Sequence, residues 1–172
     1  MLTPSQTEWI NHLSDINPVT VVPFDPACET KFQIVKDEIQ KVLGKDIEVL
    51  HRGASSLGIS GQDEIDTYVP VPPAEYEETV DKLKSIFGEP RSHYPLKRTR
   101  FVTLVEGKHI DIFVMNQEDD GWKNGVRFHD YLLSHPQALD DYRRLKEGAS
   151  GQSTREYYRR KIEFINGILE KI

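Results

Sequence analysis

Three acidic residues in the middle of the chain have the types and spacing that suit a divalent cation. Glu64 and Asp66 are two residues apart at the start of a predicted strand, and residues at that spacing in a strand point to the same face. Asp111 lies between two isoleucines in a later predicted strand, and we expect it to face the same side. Carboxylates on one face repel each other unless a cation neutralises them, and Mg²⁺ is held by one or two carboxylates plus substrate phosphates.

The loop that precedes these acids has the composition of a phosphate-binding loop. Residues 53–61 include Gly53, Ser55 and Ser56. Glycines let backbone N–H groups approach a phosphate closely, and serine hydroxyls add further donors. We predict that these three residues bind phosphate, with capping or turning of the loop as the alternative for the serines. We interpret His51 as a hydrogen-bonded core histidine rather than a catalytic residue.

Arg98 and Arg100 are the second candidate phosphate contacts. They lie two apart at the start of a predicted strand, so they share a face. Arginine binds phosphate through paired hydrogen bonds. The alternative is that they are ordinary charges on an edge strand.

Hydrophobic periodicity and turn residues predict the elements that position these side chains. The predicted helices are 5–15, 27–43, 74–87, 122–134, 136–146 and 154–171, and the predicted strands are 19–22, 47–50, 65–71, 101–105 and 109–115. Strands dominate the middle and helices the two ends, which predicts an α+β arrangement with helices on one face of a sheet and a C-terminal helical segment. We expect a single domain, 1–172, with 119–172 a helical tail packed on it.

Composition narrows the class of protein. The 172 residues carry 22 basic and 28 acidic side chains, a net charge of −6, which disfavours general capture of nucleic acid. No apolar run approaches the roughly 18 residues of a membrane span, and the first residues lack the pattern of a signal peptide. The single cysteine, Cys28, is expected to be a small core residue. We therefore expect a cytoplasmic protein with no membrane partner.

The chain resembles the DNA polymerase β-like nucleotidyltransferases in the order of its candidate residues. Glycine and serine come first, then Glu64-x-Asp66, and then a lone Asp111 on a later strand. A closer resemblance, over roughly residues 19–172, is to the GrpB family of small nucleotidyltransferase-like proteins. It is carried by Phe24-Asp25-Pro26, His51, Gly53, Ser55, Ser56, Asp66, residues 127–132 (RFHDYL), His135-Pro136, Tyr142, Leu145-Lys146, Tyr158 and Lys161.

The resemblance implies a mixed β-sheet nucleotidyltransferase-like core and a metal-dependent transfer reaction. Glu64, Asp66 and Asp111 would hold Mg²⁺, or Mn²⁺, and Asp111 would deprotonate or order an acceptor hydroxyl. A nucleoside triphosphate would donate the nucleotidyl group to a small molecule or a protein side chain. The chain departs from the family at two positions. Position 64 is often apolar in the family and is glutamate here, and position 111 is often histidine in the family and is aspartate here. Both departures move it toward the active nucleotidyltransferase pattern.

Two other functions stay open. The chain could be a nucleotide-binding or scaffold protein of the same fold without turnover, because fold alone does not establish activity. It could also be a structural interaction protein that uses its helical tail. We expect the enzymatic hypothesis to fail if Asp111 faces the opposite side of the sheet or is buried in an ion pair with an arginine. The nucleotide, the acceptor and the oligomeric state are not predicted.

Overall fold

A computed structural model describes residues 1–172, which form two compact units. The sheet unit comprises Phe24–Gly58 and Asp63–Lys123, and the helical unit comprises Met1–Pro23, Ile59–Gln62 and Asn124–Ile172. The elements in chain order are α1 (Pro4–Asn11), α2 (Cys28–Leu43), β1 (Leu50–Arg52), α3 (Gly53–Ser56), β2 (Glu64–Val71), a 3₁₀ turn (Pro73–Glu75), α4 (Tyr76–Phe87), β3 (Ser92–Tyr94), β4 (Arg98–Val105), β5 (Lys108–Asn116), α5 (Asp120–Ser134), α6 (Pro136–Gly148) and α7 (Thr154–Leu169).

The sheet unit contains one five-stranded mixed sheet, in the order β1-β2-β5-β4-β3. Strands β2 and β5 are parallel, and the other neighbouring pairs are antiparallel. Asp66 lies opposite Asp111 across the β2–β5 pair, and Glu64 lies opposite His109. The α+β fold with a mixed sheet is confirmed, and this register places the acidic residues of the two central strands side by side.

One face of the sheet packs against α2 and α4 and forms the hydrophobic core. Ile65 on β2, Phe101 on β4 and Ile110 on β5 are fully buried in that core, as is Val35 on α2. Because side chains alternate along a strand, the residues between them face the other side of the sheet. The predicted core role of Cys28 is confirmed, since its side chain is buried in the same cluster.

The predicted elements differ from the structure mainly in the short strands. Residues 19–22 form no strand, and the segment makes only isolated bridges, from Pro18 to Ser153 and from Val22 to Gly61. Pro18 and Pro23 flank this segment, and proline lacks the N–H that a ladder needs. The strand predicted at 47–50 begins only at Leu50, and β3 was not predicted because three residues carry too little pattern.

The helical unit contains α1, α6, α7 and most of α5. Ser153 caps the N-terminus of α7, since its hydroxyl accepts a hydrogen bond of 3.3 Å from the backbone N–H of Glu156. Tyr157 on α7 is fully buried against Val19 and Ala149. No helix combines the length and hydropathy that crossing a membrane would require.

Candidate metal centre

Three carboxylates from two parallel strands converge on the sheet face opposite the core. One carboxylate oxygen from each of Glu64, Asp66 and Asp111 lies within 4.8 Å of the other two. The convergence has a simple origin, because Asp66 and Asp111 are cross-strand partners and Glu64 is two residues before Asp66 on the same face. Glu64 and Asp66 are half-buried, and Asp111 is 3% exposed.

The geometry and donor chemistry fit a hard divalent cation. Two oxygens bound to one Mg²⁺ are at most about 4.2 Å apart, which is twice a bond of about 2.1 Å. Separations of up to 4.8 Å therefore need only small side-chain rotations. The oxygen Oδ1 of Asp111 is buried and has no hydrogen-bond partner. A buried oxygen without a hydrogen-bond partner is costly unless a ligand satisfies it. The residues present therefore fit a divalent cation.

Asp111 also forms an ion pair with Arg100. The guanidinium nitrogen Nη2 lies 2.8 Å from Oδ2 of Asp111, and the side chain of Arg100 is 31% exposed. A buried ion pair of Asp111 with an arginine is the arrangement under which we expected the enzymatic hypothesis to fail. It occupies only Oδ2, however, and offsets part of the negative charge that three neighbouring carboxylates create. Oδ1 of Asp111 remains available to a cation, and Arg100 competes with that cation for the negative charge of Asp111.

Only glycine fits at position 53, because the backbone there packs against the Asp66 side chain. The backbone of Gly53 has φ = +74°, which favours glycine. A β-carbon at this position would lie 1.9 Å from Oδ2 of Asp66, far inside van der Waals contact. The predicted phosphate role of Gly53 stays a prediction, and its steric role beside the carboxylate cluster was not visible in the sequence.

The two candidate serines lie on α3, inside the stretch predicted as a loop. The hydroxyl of Ser56 donates a 2.9 Å hydrogen bond to the carbonyl oxygen of Gly53, as expected for a residue that closes a turn. The hydroxyl of Ser55 lies 2.9 Å from Nε2 of His51. The His51 ring is 10% exposed and stacks on Phe32, so its interpretation as a hydrogen-bonded core histidine is confirmed.

The two candidate arginines have different surroundings although they share a face of β4. Arg100 is held by Asp111, as described above. Arg98 is exposed, and its guanidinium carbon lies 5.5 Å from the ring centre of Tyr94 and 5.6 Å from that of Phe113. Stacking on aromatic rings leaves the hydrogen-bonding edge of a guanidinium open to an anion.

Sequence reasoning missed two residues that lie next to residues singled out from the sequence. His109 lies two residues before Asp111 on β5, and its Nε2 is 3.8 Å from Oδ1 of Asp111, too long for a hydrogen bond. The two-residue spacing from Asp111 was a signal that could have identified it. Glu29 on α2 lies 3.0 Å from Nδ1 of His51. Nothing local in the sequence links Glu29 to the loop.

Comparisons with known proteins agree with this architecture. The family model described as GrpB protein matches residues 18–171. A UPF0157 protein of Vibrio cholerae is 28% identical over 148 residues, which cover 85% of this chain and 78% of that protein. The crystal structure of the conserved protein GrpB from Enterococcus faecalis superimposes with a TM-score of 0.64 over 87% of this chain and 99% of that one. At 15% identity, this last likeness concerns the fold alone.

Proposed function

For this chain, which belongs to the GrpB family, we propose a metal-dependent nucleotidyltransferase activity. The donor is a nucleoside triphosphate, the acceptor is a hydroxyl of a small molecule or a protein, and the cofactor is Mg²⁺ or Mn²⁺. The observation that carries the proposal is the convergence of the three carboxylates Glu64, Asp66 and Asp111 within 4.8 Å. Their arrangement matches what a divalent cation and a triphosphate together require.

The residues of the site divide the work between them. A bound divalent cation supplies charge neutralisation at the phosphates and activates an attacking hydroxyl. Glu64 and Asp66 hold the cation from one strand. Asp111 adds the unsatisfied oxygen Oδ1 from the neighbouring strand and orders the acceptor hydroxyl or takes its proton.

The phosphates of the donor extend toward cationic and hydroxyl groups on the chain. Arg98, the first residue of β4, is exposed, and its guanidinium lies against two aromatic rings. When a cation replaces Arg100 at Asp111, the guanidinium of Arg100 contacts a phosphate instead. The serines of α3 are the remaining candidates for phosphate contact. The net charge of −6 favours a compact nucleotide over a long nucleic acid as substrate.

A second candidate function is nucleotide binding without turnover. The Arg100–Asp111 ion pair favours it, because an arginine that permanently neutralises Asp111 would leave only Glu64 and Asp66 for a cation. Under this alternative the fold retains a ligand but does not position an acceptor hydroxyl. The two functions predict the same ligand and different products.

Calorimetry with ATP, GTP, CTP and UTP, with and without Mg²⁺, tests the site. We expect binding of at least one nucleotide that depends on Mg²⁺ and is lost in Asp66→Asn. Glu48→Gln is the matched control, since it removes one negative charge from an exposed position of the same unit and should bind like the wild type. Metal-independent binding that Asp66→Asn leaves unchanged would contradict the proposal.

Pyrophosphate release separates the two candidates. With the preferred nucleotide and a panel of small hydroxyl acceptors, the enzyme should release pyrophosphate, and Asp111→Asn should reduce the rate by roughly 10²-fold or more, the size of a general-base contribution. Mg²⁺-dependent binding without pyrophosphate release would support the non-catalytic function instead.

A further inference from the structure

A histidine completes the arrangement of side chains around the three carboxylates. On β2, Glu64 and Asp66 are two residues apart, and their cross-strand partners on the parallel strand β5 are His109 and Asp111 respectively. Side chains two apart on a strand share a face, so His109 lies on the same face of the sheet as Asp111. Neighbouring strands are only about 4.8 Å apart. The four residues therefore mark the corners of a rectangle, with carboxylates at three corners and an imidazole at the fourth.

The imidazole approaches the carboxylate cluster through Asp111. Nε2 of His109 lies 3.8 Å from Oδ1 of Asp111. This separation is too long for a hydrogen bond, but it suits two ligands of one cation. Bonds of about 2.1 Å from each atom to the ion span up to about 4.2 Å. One cation can therefore bind both atoms without any movement of the two side chains.

The oxygen that faces His109 is the one that lacks a partner. Oδ1 of Asp111 is buried without a hydrogen bond, whereas Oδ2 is held by Arg100. The imidazole, in contrast, is accessible, since the His109 side chain is 38% exposed. Its cross-strand partner on β4 is Leu104, an exposed apolar residue that offers no ligand atom. Oδ1 of Asp111 and Nε2 of His109 are therefore the two atoms that β5 offers to a cation.

We propose that His109 is a fourth ligand of the cation, through Nε2, and that the site consequently prefers Mn²⁺ to Mg²⁺. The assignment rests on the proposed function and specifies its cation. Imidazole nitrogen suits transition-metal ions, whereas Mg²⁺ takes oxygen ligands. Carboxylates bind both Mg²⁺ and Mn²⁺, so Mn²⁺ fits the mixed set of donors better. In this assignment the three carboxylates make the site bind a divalent cation, and His109 selects which cation it is.

Calorimetry with Mn²⁺ and with Mg²⁺, in the absence of nucleotide, tests the selectivity. The wild type should bind Mn²⁺ more tightly than Mg²⁺. His109→Ala should lose roughly tenfold or more in Mn²⁺ affinity, the size of effect that altered metal coordination produces, and much less in Mg²⁺ affinity. His93→Ala is the matched control, because it removes an imidazole of similar exposure, 34%, from β3 of the same unit. This control should retain both affinities of the wild type.

Pulsed electron paramagnetic resonance of bound Mn²⁺ tests the ligation itself. A nitrogen nucleus bonded to Mn²⁺ modulates the electron spin echo, and a residue that only shapes the site does not. We expect this nitrogen modulation in the wild type and in His93→Ala, and its loss in His109→Ala.

The outcomes distinguish this inference from the proposed function. Three results overturn the inference and leave the proposed function standing: Mg²⁺ binding as tight as Mn²⁺ binding, no nitrogen modulation in the wild type, or a gain in affinity for both ions in His109→Ala. The last result would show that His109 competes with the cation for Asp111, as Arg100 does. Failure of the wild type to bind either ion overturns the inference and the proposed function together.

Discussion

The α-carbon of Gly53 and the carboxylate of Asp66 are packed so closely that no side chain fits between them, since a β-carbon would lie 1.9 Å from Oδ2. Gly53→Ala should therefore displace Asp66 and weaken Mg²⁺ binding at least tenfold by calorimetry. It should also lower the free energy of unfolding by more than the roughly 1–2 kcal/mol that a left-handed backbone costs an L-residue.

Gly58→Ala is the matched control for this variant. Gly58 also has a positive φ, +68°, but a β-carbon there would meet nothing within 4 Å. It should show the conformational cost alone and bind Mg²⁺ like the wild type. Equal Mg²⁺ affinity in the two variants would show that Asp66 is not a ligand or that it moves freely away from position 53.

Arg100 is predicted to compete with a cation for Asp111. Arg100→Met removes the charged hydrogen bond to Oδ2 and should lower the free energy of unfolding without metal by about 2 kcal/mol. Saturating Mg²⁺ should stabilise this variant more than it stabilises the wild type, measured by urea unfolding. Arg98→Met, a change on the same face of β4, is the control. A weaker Mg²⁺ affinity in Arg100→Met than in the wild type would contradict the competition.

The buried His51 gives the stability a defined pH dependence. Burial lowers its pKa below the ordinary value of 6.5, so between these two values the unfolded chain binds more protons than the folded one. The contribution of this group is therefore fully present above about pH 6.5 and is lost as the pH falls through the lower, folded pKa. His51→Gln should remove this part of the pH dependence, measured by urea unfolding between pH 4 and 8. If His51→Gln had the same pH profile of stability as the wild type, this pH dependence would not arise from His51.

In the helical unit, Glu156 should control stability in acid. Hydrogen bonds from Arg159 and Arg160 lower its pKa from 4.5 to about 2. A lowered carboxyl pKa stabilises the fold above about pH 4.5, and this contribution is lost as the pH falls toward 2. Glu156→Gln should flatten the acid limb of the stability curve. Glu163→Gln, which removes a contact with Arg159 alone, is the control and should change that limb less.

Local patterns were sufficient for the long elements and for the identity of the acidic residues. The apolar spacing of 27–43 predicted α2 to within one residue. The run 65–71, which ends at two prolines, predicted β2, and alternation along 109–115 predicted β5. Alternation also predicted which side chains share a face, because the period of two is a property of the strand itself.

The contacts between elements needed the tertiary structure. The ion pair between Arg100 and Asp111 depends on the register of β4 against β5, which no local pattern contains. Glu29 reaches His51 across 22 positions of sequence because α2 packs beside β1.

The amino-acid sequence by itself determined the family resemblance, the α+β class and the three acids that could hold a cation, since each depends on residue type and short-range spacing. Only the tertiary structure decided that the acids lie within 4.8 Å of each other, that Arg100 shares Asp111 with them, and that Ser55 is joined to a histidine and a glutamate. Register and packing set those distances, and both arise from contacts between residues far apart in the chain.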